Sequence, residues 1–245
     1  MVLEAGMTAD VRIAVITGAT GGLGKTVTKL MLERGMKVVA SFRSDNSLAE
    51  LMEYIGPLKD NLTSVKADIT VEKDVQSLFQ KAMEMYGRID VMVDLAGGYA
   101  GGNEGQDIQE SEWDFMMSLN LKSAFLCAKS VLPIMLKQNH GKIVFVAARP
   151  AVEGRYRAKS AAYAVSKAGV VVLAETISEE VKKSYINVNV ILPSTIDTPE
   201  NRKNIPQGDF VKWVKPEEIG NVILFLISDD STVTNGAVIP VYGKA

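Results

Sequence analysis

Short β-branched runs alternate with longer amphipathic stretches along almost the whole chain. Strand-like segments fall at Arg12–Thr17, Lys37–Ser41, Ser64–Ala67, Ile89–Leu95, Lys142–Ala147, Asn187–Leu192 and Ala237–Val241. Helical periodicity separates them at Gly24–Arg34, Ser47–Tyr54, Val71–Tyr86, Ser111–Lys137, Ser160–Lys183 and Pro216–Ser228. Near-continuous apolar strands alternating with helices predict βαβ units. The expected fold class is α/β, a doubly wound and mostly parallel sheet of about seven strands with helices on both faces. Two longer segments, Gly97–Glu110 and Ser194–Lys215, read as irregular. No repeat, low-complexity tract or Pro/Gly/Ser linker divides the chain, so one domain is expected over residues 1–245, with 195–215 as a mobile segment covering the substrate.

In such a sheet, ligands bind beyond the carboxyl ends of the strands where strand order reverses, and the chemistry-bearing residues collect after strand ends. Thr17-Gly18-Ala19-Thr20-Gly21-Gly22-Leu23-Gly24 lies between the first strand and the first helix. Glycines there allow a tight turn and let a pyrophosphate approach N–H groups at the positive end of a helix. About 20 residues on, such sites place an acid on a ribose hydroxyl or an arginine on a 2′-phosphate. Here Phe42-Arg43-Ser44 has no acid at the strand end, which favours NADP(H) over NAD(H). Tyr163 and Lys167 stand four apart in a helical stretch and share a face. Lowering a phenol from about 10 to about 7 takes roughly 4 kcal/mol, which a nearby ammonium helps to supply, making a general acid near neutral pH.

Composition narrows the classes. The 245 residues are 47% hydrophobic and 23% charged, an ordinary globular balance that argues against disorder and coiled coil. With 27 Lys+Arg against 29 Asp+Glu the net charge is −2, no footprint for nucleic acid or an anionic membrane. The lone Cys127 fits a reducing compartment. The first ten residues have no basic region or long apolar core, so they read as neither signal peptide nor anchor, and a cytoplasmic enzyme is expected. The one histidine, His140, reads as a loop residue and removes Ser-His-Asp chemistry and a metal site from consideration.

Thr17–Gly24 as TGxxxGxG, Asp68, Asn120 and Tyr163-x-x-x-Lys167, in that order, resemble the short-chain dehydrogenase/reductase family over nearly the whole chain. The resemblance implies a Rossmann-type domain, a nicotinamide dinucleotide and a small-molecule substrate. It makes Tyr163 the proton donor, gives Lys167 the nicotinamide ribose and the lowering of the Tyr163 pKa, and gives Asn120 a relay water. It assigns Gly18, Thr20, Gly21, Gly22, Leu23, Gly24, Arg43, Ser44, Asp68, Ile69, Ala96, Gly97, Gly98, Pro193, Ile196 and Thr198 to the cofactor, Asp68 on the adenine and Ile196 and Thr198 on the carboxamide. A homodimer or homotetramer through the helices around Ser111–Lys137 and Ser160–Lys183 is also implied.

Two departures stand out. Leu95-Ala96-Gly97 replaces the family's Asn-Ala-Gly, and Ala148 occupies the place of the serine that hydrogen-bonds a substrate carbonyl. Such a donor is often worth about 2.7–4 kcal/mol. Ser160 or Ser166 could substitute, or the substrate needs less help. Three segments resemble dihydropteridine reductases: Ala96–Gly102, Val146–Ala151 with Arg149, and Leu192–Lys203 continuing to Trp213. A quinonoid dihydropterin spreads incoming charge over its ring, so loss of the serine is tolerable. Ala148, Arg149 and Trp213 are therefore candidate substrate residues. The alternatives are a reductase of 3-oxoacyl thioesters or other carbonyls, with Arg149, Arg155, Arg157 and Lys159 at its mouth, and a dinucleotide-binding sensor or scaffold.

Overall fold

The computed structural model describes residues 11–244; the reading of the first ten residues lies outside them. A seven-stranded sheet has the order β3-β2-β1-β4-β5-β6-β7. Its strands are β1 (Ile13–Thr17), β2 (Lys37–Phe42), β3 (Leu62–Lys66), β4 (Val91–Asp94), β5 (His140–Val146), β6 (Tyr185–Pro193) and β7 (Val238–Val241). Every strand pair is parallel. His140, expected in a loop, opens β5 and pairs with Tyr185.

Strand periodicity sends alternate residues to opposite faces. Val15 packs with Val39, Met92 and Phe145 against α3 (Glu72–Tyr86), α5 (Ser123–Gln138) and α6 (Ala161–Glu180). Its neighbours Ala14 and Ile16 pack with Val38, Val93 and Val144 against α1 (Gly22–Glu33), α2 (Asp45–Ile55) and α8 (Pro216–Leu226). Strands with apolar cover on both sides cannot show polar alternation, which is why they read as continuous apolar runs. Two helical stretches, Glu110–Gln138 and Ala161–Glu180, are long and apolar enough to cross a membrane, and both contribute to the first of these cores.

The helix expected over Ser111–Lys137 is not one regular element. It comprises α4 (Glu110–Met116), a π-helical turn at Met117–Lys122, and α5. The segment 194–215 likewise carries structure, α7 (Pro199–Asn204) and a 3₁₀ turn at Phe210–Lys212. Thr198 caps α7 by accepting from Asn201 N–H at 3.2 Å, while Ile196 bridges to Val214 and closes the base of the excursion.

Candidate active site

Strand order reverses between β1 and β4, and the loops that follow these two strands touch. Gly18 sits at φ +66°, and a Cβ there would lie 2.7 Å from Ala96 N. Only glycine meets both demands. Gly24 faces the carbonyl of Gly18 so closely that no side chain fits between them. A Cβ on Gly22 would meet Thr198 Cγ2 at 2.8 Å, so the segment after β6 roofs the glycine turn. No side chain caps α1 and no acid lies in its first turn, which leaves its first N–H groups for an anion. Lys25 is engaged with Glu50 at 2.5 Å.

The rest of the crevice follows the sheet edge. Arg43 is exposed after β2 and enters no hydrogen bond or ion pair among the described residues. The neighbouring Ser44 hydroxyl caps α2 through Ser47 N–H. Asp68 Oδ1 accepts from Thr70 N–H at 2.9 Å and from Thr70 Oγ1 at 2.7 Å, and these bonds hold its carboxyl below the usual range. Ile69 and Ala96 are buried in the core, and Pro193 ends β6. Glycines where a Cβ would collide, an uncapped helix end and an unpaired cation together fit a dinucleotide.

Lys167 and Asn120 converge on Gly97 beyond the ends of β4 and β5, with Tyr163 one turn before Lys167 on α6. Lys167 Nζ donates to Val146 O at 2.8 Å. The π turn carries Asn120 inward, where Oδ1 accepts from Gly98 N–H at 2.9 Å and Nδ2 donates to Gly98 O at 3.1 Å and to Ser166 Oγ at 3.0 Å. Extra-residue turns of this kind re-aim a side chain, and they recur at functional sites. A Cβ on Gly97 would lie 2.8 Å from Asn120 Oδ1 and 2.9 Å from Lys167 Nζ, so both groups crowd one glycine. Burial lowers Lys167 to about 8, opposed by the charge of Asp94.

The lowering of Tyr163 expected from Lys167 is absent. Burial, then the neighbouring Tyr99, hold the Tyr163 phenol above its ordinary value. Tyr99 packs edge-on against it, with ring centroids 5.0 Å apart. A phenol held up in this way stays protonated near neutral pH.

Neither serine is free to replace the one missing at Ala148. Ser166 Oγ donates to Tyr163 O at 2.8 Å and Ser160 Oγ to Arg157 O at 3.0 Å. Ala148 itself is buried in extended backbone. Arg149 is also buried, paired with Glu153 at 3.2 Å and held over the rings of Tyr156 and Tyr242. Arg155 pairs with Glu153, Arg157 donates to Pro150 O and Ala151 O, and Lys159 pairs with Glu104. Of the basic residues imagined as the mouth for a carrier, Arg149 is therefore buried, while Arg155 and Lys159 remain exposed in surface ion pairs. Trp213 packs edge-on against Phe210 at 4.8 Å, within the excursion after β6.

Three features escaped the sequence reading: the buried Asp94, the π turn, and the contact of Tyr99 with Tyr163. An acid inside the apolar run Val91–Leu95 was a visible signal for the first. No local signal marks the others, because π geometry and ring contact are set by packing.

Residues 12–208 match the short chain dehydrogenase family. The chain belongs to that family. It is an NAD(P)-dependent oxidoreductase, with a nicotinamide dinucleotide as cofactor and small molecules as substrates. Among similar curated proteins, the 3-oxoacyl-[acyl-carrier-protein] reductase FabG of Thermotoga maritima is 33% identical, over 95% of this chain and 96% of its own. The (2S)-[(R)-hydroxy(phenyl)methyl]succinyl-CoA dehydrogenase subunit BbsD of Thauera aromatica is 31% identical, over 95% of each chain. Among solved structures, levodione reductase superposes with a TM-score of 0.87 at 27% identity, over 95% of this chain and 96% of that one. ElxO with NADP bound shares the fold, with a TM-score of 0.89 at 23% identity over 96% and 98%.

Proposed function

We propose that this short-chain dehydrogenase reduces a small conjugated acceptor of the quinonoid dihydropterin type, using NADPH in preference to NADH. The observation that carries the reading is Ala148, which offers no hydroxyl to a substrate carbonyl, together with the commitment of the Ser160 and Ser166 protons elsewhere. A localised alkoxide would go unstabilised there, whereas a conjugated ring spreads the charge. Tyr99, exposed and set on the Tyr163 ring, gives a flat acceptor a surface to lie against. Arg43 supports the preference for a 2′-phosphate.

When bound, the nicotinamide supplies hydride. Tyr163, kept protonated by burial, delivers the proton from its hydroxyl. Lys167 binds the ribose and Asn120 holds the proton-relay water. Gly18, Thr20, Gly21, Gly22, Leu23 and Gly24 cradle the pyrophosphate, Asp68 meets the adenine, and Ile196 and Thr198 meet the carboxamide. The segment 195–215, with Trp213, closes over the substrate. Exposed Phe115, Phe125 and Val172 on α4, α5 and α6 support self-association into a dimer or tetramer.

A second reading, reduction of a 3-oxoacyl thioester, is favoured by the named activity of the Thermotoga maritima relative. Coupled turnover with chemically generated quinonoid dihydropterin, then acetoacetyl thioester, using NADPH and NADH, separates the two. Pterin-dependent oxidation of NADPH that Tyr163→Phe abolishes is the expected result. Turnover of the thioester alone would replace the pterin reading, and binding without turnover of any acceptor would make the protein a sensor.

A further inference from the structure

Asp94 ends β4 and is 3% exposed. Its carboxylate accepts from Thr17 Oγ1 on β1 and from the N–H of Ala96. An asparagine would still accept from Thr17 through its amide oxygen, so that bond alone does not account for the charge. Burial pushes the Asp94 carboxyl above its ordinary value, opposed by the Thr17 bond and then by the charge of Lys167, so its ionised form is costly unless something compensates it. Asp94 pairs in register with Phe145 on β5, and the next residue, Val146, has its carbonyl on Lys167 Nζ at 2.8 Å. Three residues beyond Asp94, the open face of Gly97 is bordered by that same Nζ. Acid and ammonium thereby border one dry corner, with no direct ion pair between them among the described residues, and charges there act strongly on each other.

Among the described residues, the titratable groups facing Asp94 are Lys167 from α6 and the Cys127 thiol from α5. Its partner on β1 is the neutral Thr17, and β5 brings only Phe145 and Val146. The thiol is neutral, pushed up by burial and by Asp94 itself. Lys167 also has Tyr163 on its own helix, with Tyr99 packed on that ring.

We propose that Asp94 is a positioning residue: its carboxylate is the counter-ion that keeps the Lys167 ammonium charged, and it thereby sets the alkaline limit of the reaction. This rests on the role given to Lys167 above. Burial drives Lys167 toward the neutral form, and Asp94 is the opposing charge.

The test is Asp94→Asn, which keeps the shape and one acceptor oxygen and removes the charge. Lysine ¹⁵Nζ shifts in the ligand-free full chain, with the Lys167 signal assigned by its loss in Lys167→Met, should show Lys167 titrating about one unit lower in the variant. The alkaline limb of kcat/KM for NADPH oxidation with quinonoid dihydropterin should move in the same direction. An unmoved Lys167 titration in folded Asp94→Asn overturns the proposal. So does an Asp94 ¹³Cγ shift in the unsubstituted protein that reports a protonated carboxyl at pH 7, a measurement that needs no variant. A titration that moves while the limb stays put supports the counter-ion and overturns both the alkaline limit assigned to it and the role of Lys167 in turnover.

Discussion

Asn120 Nδ2 donates to Ser166 Oγ at 3.0 Å, and Ser166 Oγ donates in turn to the carbonyl of Tyr163 at 2.8 Å. The π turn and the helix that carries Tyr163 are thus joined through one buried hydroxyl. Ser166→Ala breaks both links and leaves a buried amide proton short of a partner, a loss of about 1–3 kcal/mol. Urea unfolding should register that loss, and kcat should fall several-fold while KM for NADPH changes little. Ser166→Thr, which keeps the hydroxyl, should recover most of the rate.

Gly22 and Thr198 approach so closely that a single methyl would push the roof from the floor. Gly22→Ala should weaken NADPH binding by tenfold or more, measured by fluorescence titration. Thr198→Ser removes the Cγ2 that the new methyl meets first, so the double variant should bind more tightly than Gly22→Ala alone.

Lys167 carries a stability cost whose pH dependence has a definite sign. Its folded value is about 8 against a reference of 10.5. Between these values the unfolded chain holds the proton and the folded protein has released it, so stability rises with pH through this window. The gain is complete above the reference value and is lost as pH falls through about 8. Lys167→Met lacks the titration. Chemical denaturation from pH 7 to 10 should show the unsubstituted protein gaining on the variant by at most about 3 kcal/mol.

Arg43 stands exposed after β2 with no hydrogen bond or ion pair among the described residues, its charge acting on Asp68. Arg43→Leu should raise KM for NADPH by about tenfold, the worth of roughly 1.4 kcal/mol, and leave KM for NADH nearly unchanged. Equal effects on both cofactors would show that the side chain does not read the 2′-phosphate.

Ala148 offers a gain-of-function check. Ala148→Ser supplies the donor whose loss is worth about 2.7–4 kcal/mol in comparable sites. It should raise turnover of simple ketones by tenfold or more, with little gain for a quinonoid pterin. An equal gain for both acceptors would contradict delocalised charge as the reason the serine is dispensable.

The sequence by itself determined the alternation of strands and helices, the glycine turn after β1, and the Tyr163–Lys167 spacing. Each is written in local periodicity or in residue types with few conformational options. Strand ends also placed the candidate residues on one edge of the sheet, because parallel βαβ winding brings every carboxyl end to the same side. Tertiary structure alone decided the rest. Asn120 reaches Gly98 through a π turn inside an unbroken helical pattern, and helical periodicity does not report one extra residue in a turn. Arg149 and Arg155 look alike in sequence, yet the fold buries the first between Glu153 and two tyrosine rings and leaves the second exposed. The charge on Asp94 acquires its meaning from Lys167, 73 positions away by their numbering, because parallel strands bury the end of β4 beside the helix that follows β5.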